Sequence, residues 1–162
     1  MIRITLLPYL VSLLSLGTVA AARSGEEGPL STSLDLPATA AFSKDPNRFV
    51  GDVLEITRGR GATIGWYVRA TTEEEVRVSV EYTCEKPLNQ AYQLSFDGQD
   101  RFWEVAPTGT GGAAWEMAEL GTFRLRAGLP VLILLVPPSG TTYGHPVRFR
   151  RLVLEGATPG NL

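Results

Sequence analysis

The chain holds a single cysteine and a single histidine, and that scarcity removes several chemistries at once. One cysteine excludes an internal disulfide. Zinc sites draw three or four ligands from His, Cys or carboxylates, so one imidazole and one thiol leave such a site short of partners. Cys84 and His145 are the only possible thiol–imidazole pair, and no motif supplies the third orienting group or the oxyanion hole that the pair would need. Basic clusters are equally sparse. The sequence carries 15 Lys and Arg against 17 Asp and Glu, a formal charge of −2, and Arg148, Arg150 and Arg151 form its one basic cluster. Nucleic-acid binding needs clustered cations to displace counterions, so the mild acidity argues against it, and the cluster reads as the solvated face of a strand. Also missing are an amphipathic helical pattern longer than two turns, an internal repeat and a calcium-loop motif. Paired carboxylates for glycoside hydrolysis are defined by separation in space. Asp97 and Asp100 fall in a turn, and Glu116 and Glu119 on a strand, where solvated roles are simpler. The expectation is a protein without catalytic function.

The long hydrophobic stretch lies at the start. Arg3 precedes an apolar run from Ile4 to Val19, which ends in Ala20, Ala21 and Ala22. A positive start, a short apolar stretch and small residues describe a secretory signal peptide. The run is broken by Pro8, Ser12, Ser15 and Gly17 and is shorter than the roughly 20 apolar residues that span a bilayer. No cysteine follows the alanines to take a lipid. The expected organisation is a signal peptide over residues 1–22, a flexible Gly-, Ser- and Glu-rich leader over 23–33, one module over 34–156 and a tail over 157–162. The product would be secreted or periplasmic, with no membrane span after cleavage.

What remains is rich in alternation. Val76, Val78, Val80, Tyr82 and Cys84 alternate with Arg77, Ser79, Glu81 and Thr83, the signature of a strand with one buried and one wet face. Ile64, Trp66 and Val68 alternate with Gly65, Tyr67 and Arg69 in a neighbouring strand. Tyr92, Leu94 and Phe96 lead into Asp97-Gly98, the pair suited to a tight type I′ hairpin, and residues 101–105 return from it. Leu34–Phe42 forms a first edge strand interrupted by Pro37, residues 44–47 a turn, and 49–57 a further strand. Residues 115–126 do not hold one phase, and Gly121 sits where a bulge would reset the register. Residues 129–136 are apolar on both faces, as for a central strand covered from both sides. Residues 147–154 close the sheet, with another phase break at Arg150–Arg151. The result is an all-β, mostly antiparallel sandwich of the jelly-roll kind with about eight or nine strands. Trp66, Tyr82 and Cys84 belong to its core, and Trp103 is undecided.

The order Gly61, Trp66, Val68, then Val78, Val80, Tyr82, Cys84, then Thr108, Gly109, Trp115, and finally Leu120, Gly121, Phe123, Leu125, Ala127 and Gly128 carries a resemblance. It resembles secreted, galactose-binding-domain-like jelly rolls related to family 6 and family 35 carbohydrate-binding modules, and among them those appended to bacterial fucosidases and sulfatases. The likeness spans residues 34–155. It implies a non-catalytic module that binds a polysaccharide or other glycan through loops at one end, with a secreted hydrolase as partner. It also implies a structural calcium near the first strand, for which Asp35 and Glu155 are the candidate ligands. The relatives usually belong to longer chains with a catalytic domain, and often carry Asn or Asp before the last strand where this chain has Gly144, His145 and Pro146. Both departures favour the alternative, a structural or protein-interaction sandwich without a working sugar site.

Sugars are held by an aromatic face against the C–H surface of the ring, with polar groups on the hydroxyls. Trp115 follows the loop 106–114, whose Gly109, Gly111 and Gly112 leave room for a flat ring, and in the relatives the Trp after Thr-Gly occupies a rim used for sugars. Trp115 is therefore either a binding platform or an inward-facing core residue. Tyr143 is a second aromatic candidate, in a second loop at 141–146. Thr108, Thr142 and His145 would supply hydrogen bonds around them.

Overall fold

The computed structural model describes residues 33–43, 48–58, 62–88, 90–109, 114–138 and 142–156. The proposed signal peptide, nearly all of the leader, the turn at 44–47, the centre of the glycine loop and the tail lie outside them. Eleven strands are present in the described residues: β1 (Ser33–Pro37), β2 (Phe42–Ser43), β3 (Arg48–Val50), β4 (Val53–Arg58), β5 (Ile64–Arg69), β6 (Glu74–Cys84), β7 (Tyr92–Phe96), β8 (Gln99–Trp103), β9 (Glu116–Leu125), β10 (Pro130–Val136) and β11 (Thr142–Glu155). They form two sheets. One runs β3-β4-β11-β6-β9, with β1 also paired to β11, and the other runs β2-β5-β10-β7-β8. Every ladder between strands is antiparallel.

The count exceeds the expected eight or nine for a local reason. Pro37 and the single 3-10 turn Ala38–Ala40 cut the first segment in two and send β1 and β2 to different sheets. Gly51 and Asp52 likewise fold residues 48–58 into a hairpin of β3 and β4.

The strand β11 organises the first sheet. It pairs along one side with β6 from Val147 to Glu155. Along the other it meets β4 through its first half and β1 through its second. Val76, Val78, Val80, Tyr82 and Cys84 all point inward from β6, each nearly or wholly excluded from water. Opposite them stand Ile64, Trp66, Val68, Leu94, Phe96, Ile133 and Leu135 from the second sheet, in one continuous core. Aromatic rings bridge the sheets. Phe96 stacks on Phe123 at 4.7 Å, and Tyr92 meets Phe149 edge-on at 5.7 Å. Trp66 Nε1 donates to the Pro37 carbonyl at 3.1 Å, tying β5 to the crossing from β1. Trp103 is half-buried, with Tyr82 edge-on to it at 4.7 Å.

The turn and both phase breaks fall where the alternation places them. Asp97 and Gly98 take φ of 48° and 76°, the left-handed pair a type I′ turn needs, and Phe96 pairs with Gln99 across it. In β9 the register against β6 slips between Glu119 and Gly121. Gly121 adopts φ of 127°, and the inward set changes from Leu120 to Phe123 and Leu125. In β11 the slip falls between Phe149 and Arg151, and the inward set changes from Val147 and Phe149 to Leu152 and Leu154.

Two expectations are corrected. Residues 142–146, expected in a loop, belong to a strand: β11 begins at Thr142, opposite Arg58, and a register irregularity before Val147 accommodates Pro146, which has no N–H to give a ladder. Nor is β10 enclosed on both faces. Val131, Ile133 and Leu135 are buried, but Leu132, Leu134 and Val136 on the outer side are only half-buried.

Candidate functional site

Pairing places several chain connections at one end of the sandwich. There β6 ends at Cys84 opposite Val147 of β11, β5 begins at Ile64 opposite Leu135, and Tyr92 of β7 faces Trp103 of β8. The segments 85–88 and 104–109 cross this end and are bound to it. Thr108 N–H donates to the Cys84 carbonyl at 2.8 Å, and Leu88 N–H to the Val105 carbonyl at 3.4 Å. The Tyr82 hydroxyl donates to the Ala106 carbonyl at 3.2 Å. Burial first, then the nearby Glu116 and Cys84, push that phenol above its ordinary pKa.

Thr108 is the anchor of this strap. It is wholly buried. Its hydroxyl accepts the Cys84 N–H at 3.0 Å and shares a hydrogen bond with the Thr83 hydroxyl at 2.9 Å. Its polar atom thus serves β6 and the loop. Cys84 is also inward, as its phase requires, and its thiol donates to the Lys86 carbonyl at 2.9 Å. Burial pushes that thiol above its ordinary pKa, against the opposing effect of the hydrogen bond. A neutral, enclosed thiol is a poor nucleophile.

Trp115 stands just before β9 and is half-buried. It is absent from the core. Its ring instead lies 4.1 Å from the guanidinium carbon of Arg150, on the outer side of the first sheet. The β11 bulge creates that arrangement. In a regular strand consecutive side chains face opposite ways, yet Arg150 and Arg151 both reach the outer face and both hold Glu81. Arg150 Nη1 meets one carboxylate oxygen at 3.0 Å and Arg151 Nε the other at 2.8 Å. One face of the indole is therefore backed by a cation that is itself fixed by a carboxylate. Such a contact contributes on the order of 0.5–2 kcal/mol, according to its exposure.

His145 lies in β11, half-exposed, with Nδ1 2.8 Å from the Glu85 carboxylate. The contact links the start of β11 to the connection after β6. Thr142 and Tyr143 share that strand, and their side chains lie outside the described residues. The structure thus assembles Thr108, Trp115 and His145 around the end of β6, with Trp115 on the β9 side and His145 on the β11 side. Glu85 and Arg150 complete the group. The Arg150–Arg151 phase break was visible in the sequence, but the ring and carboxylate that the extra arginine meets are distant in the chain.

Asp35 and Glu155 do not come together as a calcium site. Asp35 is held by the Arg151 guanidinium, whose own pKa is raised above its ordinary value first by that hydrogen bond. Glu155 faces Arg77 at 3.5 Å. Two carboxylates each engaged by an arginine do not fit a cation that takes six to eight oxygens. Among the described residues no group of three or more potential metal ligands exists.

No protein-family model matches the sequence, and no curated protein matches it. Solved structures do share the fold. A mannan-binding module from Man5C, in its bound conformation, is 20% identical, with a TM-score of 0.55 over 77% of this chain and 99% of that one. A family 35 carbohydrate-binding module from Clostridium thermocellum is 11% identical, with a TM-score of 0.60 over 77% of this chain and 98% of that one. The larvicidal Cry4Aa toxin from Bacillus thuringiensis reaches a TM-score of 0.59 at 11% identity, this chain covering 24% of it. The fold is the jelly-roll β-sandwich of the family 35 modules, and its occurrence in a toxin shows how widely the scaffold is used.

Proposed function

We propose that the chain is an exported, non-catalytic glycan-binding module that holds a polysaccharide at the loop end of the sandwich, and that it works beside a secreted hydrolase. The observation that carries this reading is the fixed, half-exposed indole of Trp115, backed on one face by Arg150. An aromatic platform held in place before the ligand arrives loses little freedom on binding. His145 and Glu85 supply a hydrogen-bonding pair at the same end, and Thr142 and Tyr143 precede His145 on the same strand. Thr108 takes part by holding the strap beneath them. The likeness to the family 35 modules supports a scaffold suited to the task.

A non-catalytic role is supported by the state of the reactive groups. The Cys84 thiol is buried and neutral, and Glu55, Glu81, Asp35 and Glu155 are each engaged by arginines. Those contacts also occupy the basic cluster that a polyanion would need. No described helix is long and apolar enough to cross a membrane. Export rests on residues 1–22, and amino-terminal sequencing of the mature protein tests it.

A glycan array probed with the wild-type protein and with Trp115→Ala tests the binding reading. The wild type binds one glycan class, and the variant loses it while unfolding as cooperatively as before. Silence of the wild type across the array favours the alternative, a protein-interaction sandwich. Loss of cooperative unfolding in the variant would make Trp115 a structural residue and remove the site.

A further inference from the structure

The two outer faces of the sandwich differ in kind. On the first sheet ion pairs cover the surface: Glu55 holds Arg148, Glu81 holds Arg150 and Arg151, and Arg77 faces Glu155. The second sheet presents an apolar field instead. Leu132, Leu134 and Val136 line the outer side of its central strand β10 and are half-buried. The ring of Phe42 fills the space over Gly65, where an added Cβ would lie 2.3 Å from Phe42 Cζ. Tyr67, 68% exposed, stacks on that ring at 5.2 Å. A strand apolar on both sides belongs between two covering layers, and the described chain covers β10 fully only on the inner side. Two charges stand at the margins of the field. Arg69 ends β5 opposite Pro130, and Asp100 lies on edge strand β8 opposite Ser95. Both are exposed, and neither side chain has a counterion among the described residues.

We propose that this face pairs with the same face of a second copy of the chain, forming a symmetric dimer that uses no residue of the loop-end site. Three strand spacings and four residues of rise separate Arg69 from Asp100, roughly 20 Å. A two-fold interface repeats each contact about its axis. The axis that sets Arg69 of each copy against Asp100 of the other runs diagonally over the face. It passes beside Leu132, which stands on β10 midway between the levels of Pro130, opposite Arg69, and Leu134, in line with Asp100. The same axis lays Leu134 of one copy near Tyr67 of the other. It also crosses the strands of the two sheets at close to a right angle, one of the two arrangements in which sheets pack face to face. Charge pairing and apolar contact therefore select one geometry. Five strands and the length of β10 give a face about 24 Å by 20 Å, roughly 500 Å² per copy before the relief of the rings is counted. Stable interfaces begin at about 600 Å² per copy, so the pair sits at the small end of that class and dissociates at micromolar concentration. A second copy supplies, in one surface, both an apolar field and the opposite charge at each margin.

Sedimentation velocity across the micromolar range tests the proposal, with wild type, Arg69→Asp, Asp100→Arg, the Arg69→Asp/Asp100→Arg double variant and Phe102→Ser. All three positions are exposed, so thermal midpoints stay near that of the wild type. The wild type is expected to pass from monomer to dimer as its concentration rises. Each single reversal sets like charges together at both symmetric contacts and weakens association by about tenfold or more. The double variant recovers it, because every charge again meets its opposite. An equimolar mixture of the two single variants recovers it as well, by pairing as a heterodimer. Phe102 is 75% exposed, but it lies on a corner that the axis carries past the edge of the other copy, so Phe102→Ser associates as the wild type does. A wild type that stays monomeric throughout would overturn the proposal. So would single reversals that associate undiminished, a double variant that fails to recover, or loss of association in Phe102→Ser.

Discussion

Thr108→Val is the substitution that best separates a structural role from a ligand-binding one at the loop end. Valine keeps the shape and removes the hydroxyl. In the wild type that hydroxyl accepts the Cys84 N–H at 3.0 Å and bonds to the Thr83 hydroxyl at 2.9 Å, inside a residue with no exposed surface. Removing it orphans a buried backbone donor, at about 1–3 kcal/mol, and takes away a second hydrogen bond worth about 1 kcal/mol. The expected loss is about 2–4 kcal/mol. At roughly 4 °C per kcal/mol for a domain of this size, Tm falls by about 8–16 °C in a calorimetric scan. Thr108→Ser, which keeps the oxygen, loses much less. Thr83→Val combined with Thr108→Val costs less than the sum of the two, with a coupling of about 0.5–1.5 kcal/mol, because they share one hydrogen bond. Stability of Thr108→Val within about 0.5 kcal/mol of the wild type would refute this reasoning. Lost glycan binding at unchanged stability would return Thr108 to the ligand.

Three further outcomes follow from the same packing. Cys84 resists a thiol reagent in the native protein and reacts on denaturation, and Cys84→Ser costs only about 1 kcal/mol because the Lys86 carbonyl is in place to accept from the new hydroxyl. Stability falls as pH rises past the ordinary thiol range, about 8.5. The raised pKa values of Cys84 and Tyr82 mean that the unfolded chain releases those protons first, so the folded state binds more protons and the slope against pH is negative; urea titrations between pH 7 and 10 measure it. Arg150→Ala removes the cation behind Trp115, costs about 0.5–1 kcal/mol, and shifts tryptophan emission to the red as the indole gains water, while Glu81 keeps Arg151. An unchanged spectrum would show that the ring does not depend on Arg150.

Much of the fold was legible because a half-buried strand writes its burial into every second residue. Val76 through Cys84 declared their inward face, and Asp97-Gly98 their turn. Gly121 and Arg150–Arg151 declared that something resets the phase, since a strand cannot otherwise turn both parities inward. The consequence of the second reset was not legible. Which carboxylate two neighbouring arginines would grip depends on the register of β11 against β6. The strand count came out low because Pro37 reads as an interruption within one edge strand and residues 49–57 read as one strand, whereas the chain uses Pro37 to change sheet and Gly51 to turn back. The segment 141–146 reads as a loop in the sequence, but β4 offers it a partner edge from Thr142 onward. Thr108 looked like a ligand contact because a threonine beside glycines is polar in any sequence. Only the structure shows its hydroxyl turned toward Cys84 and Thr83. The seat that Gly65 gives the Phe42 ring was hidden for a similar reason, since the two residues meet across an edge pairing that alternation does not specify.

The central claim is that Trp115 is a binding platform and not part of the core. The most direct test is a fluorescence titration of wild type and Trp115→Phe with the polysaccharide selected on the glycan array. Trp66 is 2% exposed and Trp103 packs against the core, so Trp115 is the half-buried indole that stands outside the core. The account predicts a saturable emission change in the wild type that Trp115→Phe abolishes, with both proteins unfolding cooperatively. An undiminished change in Trp115→Phe would contradict it.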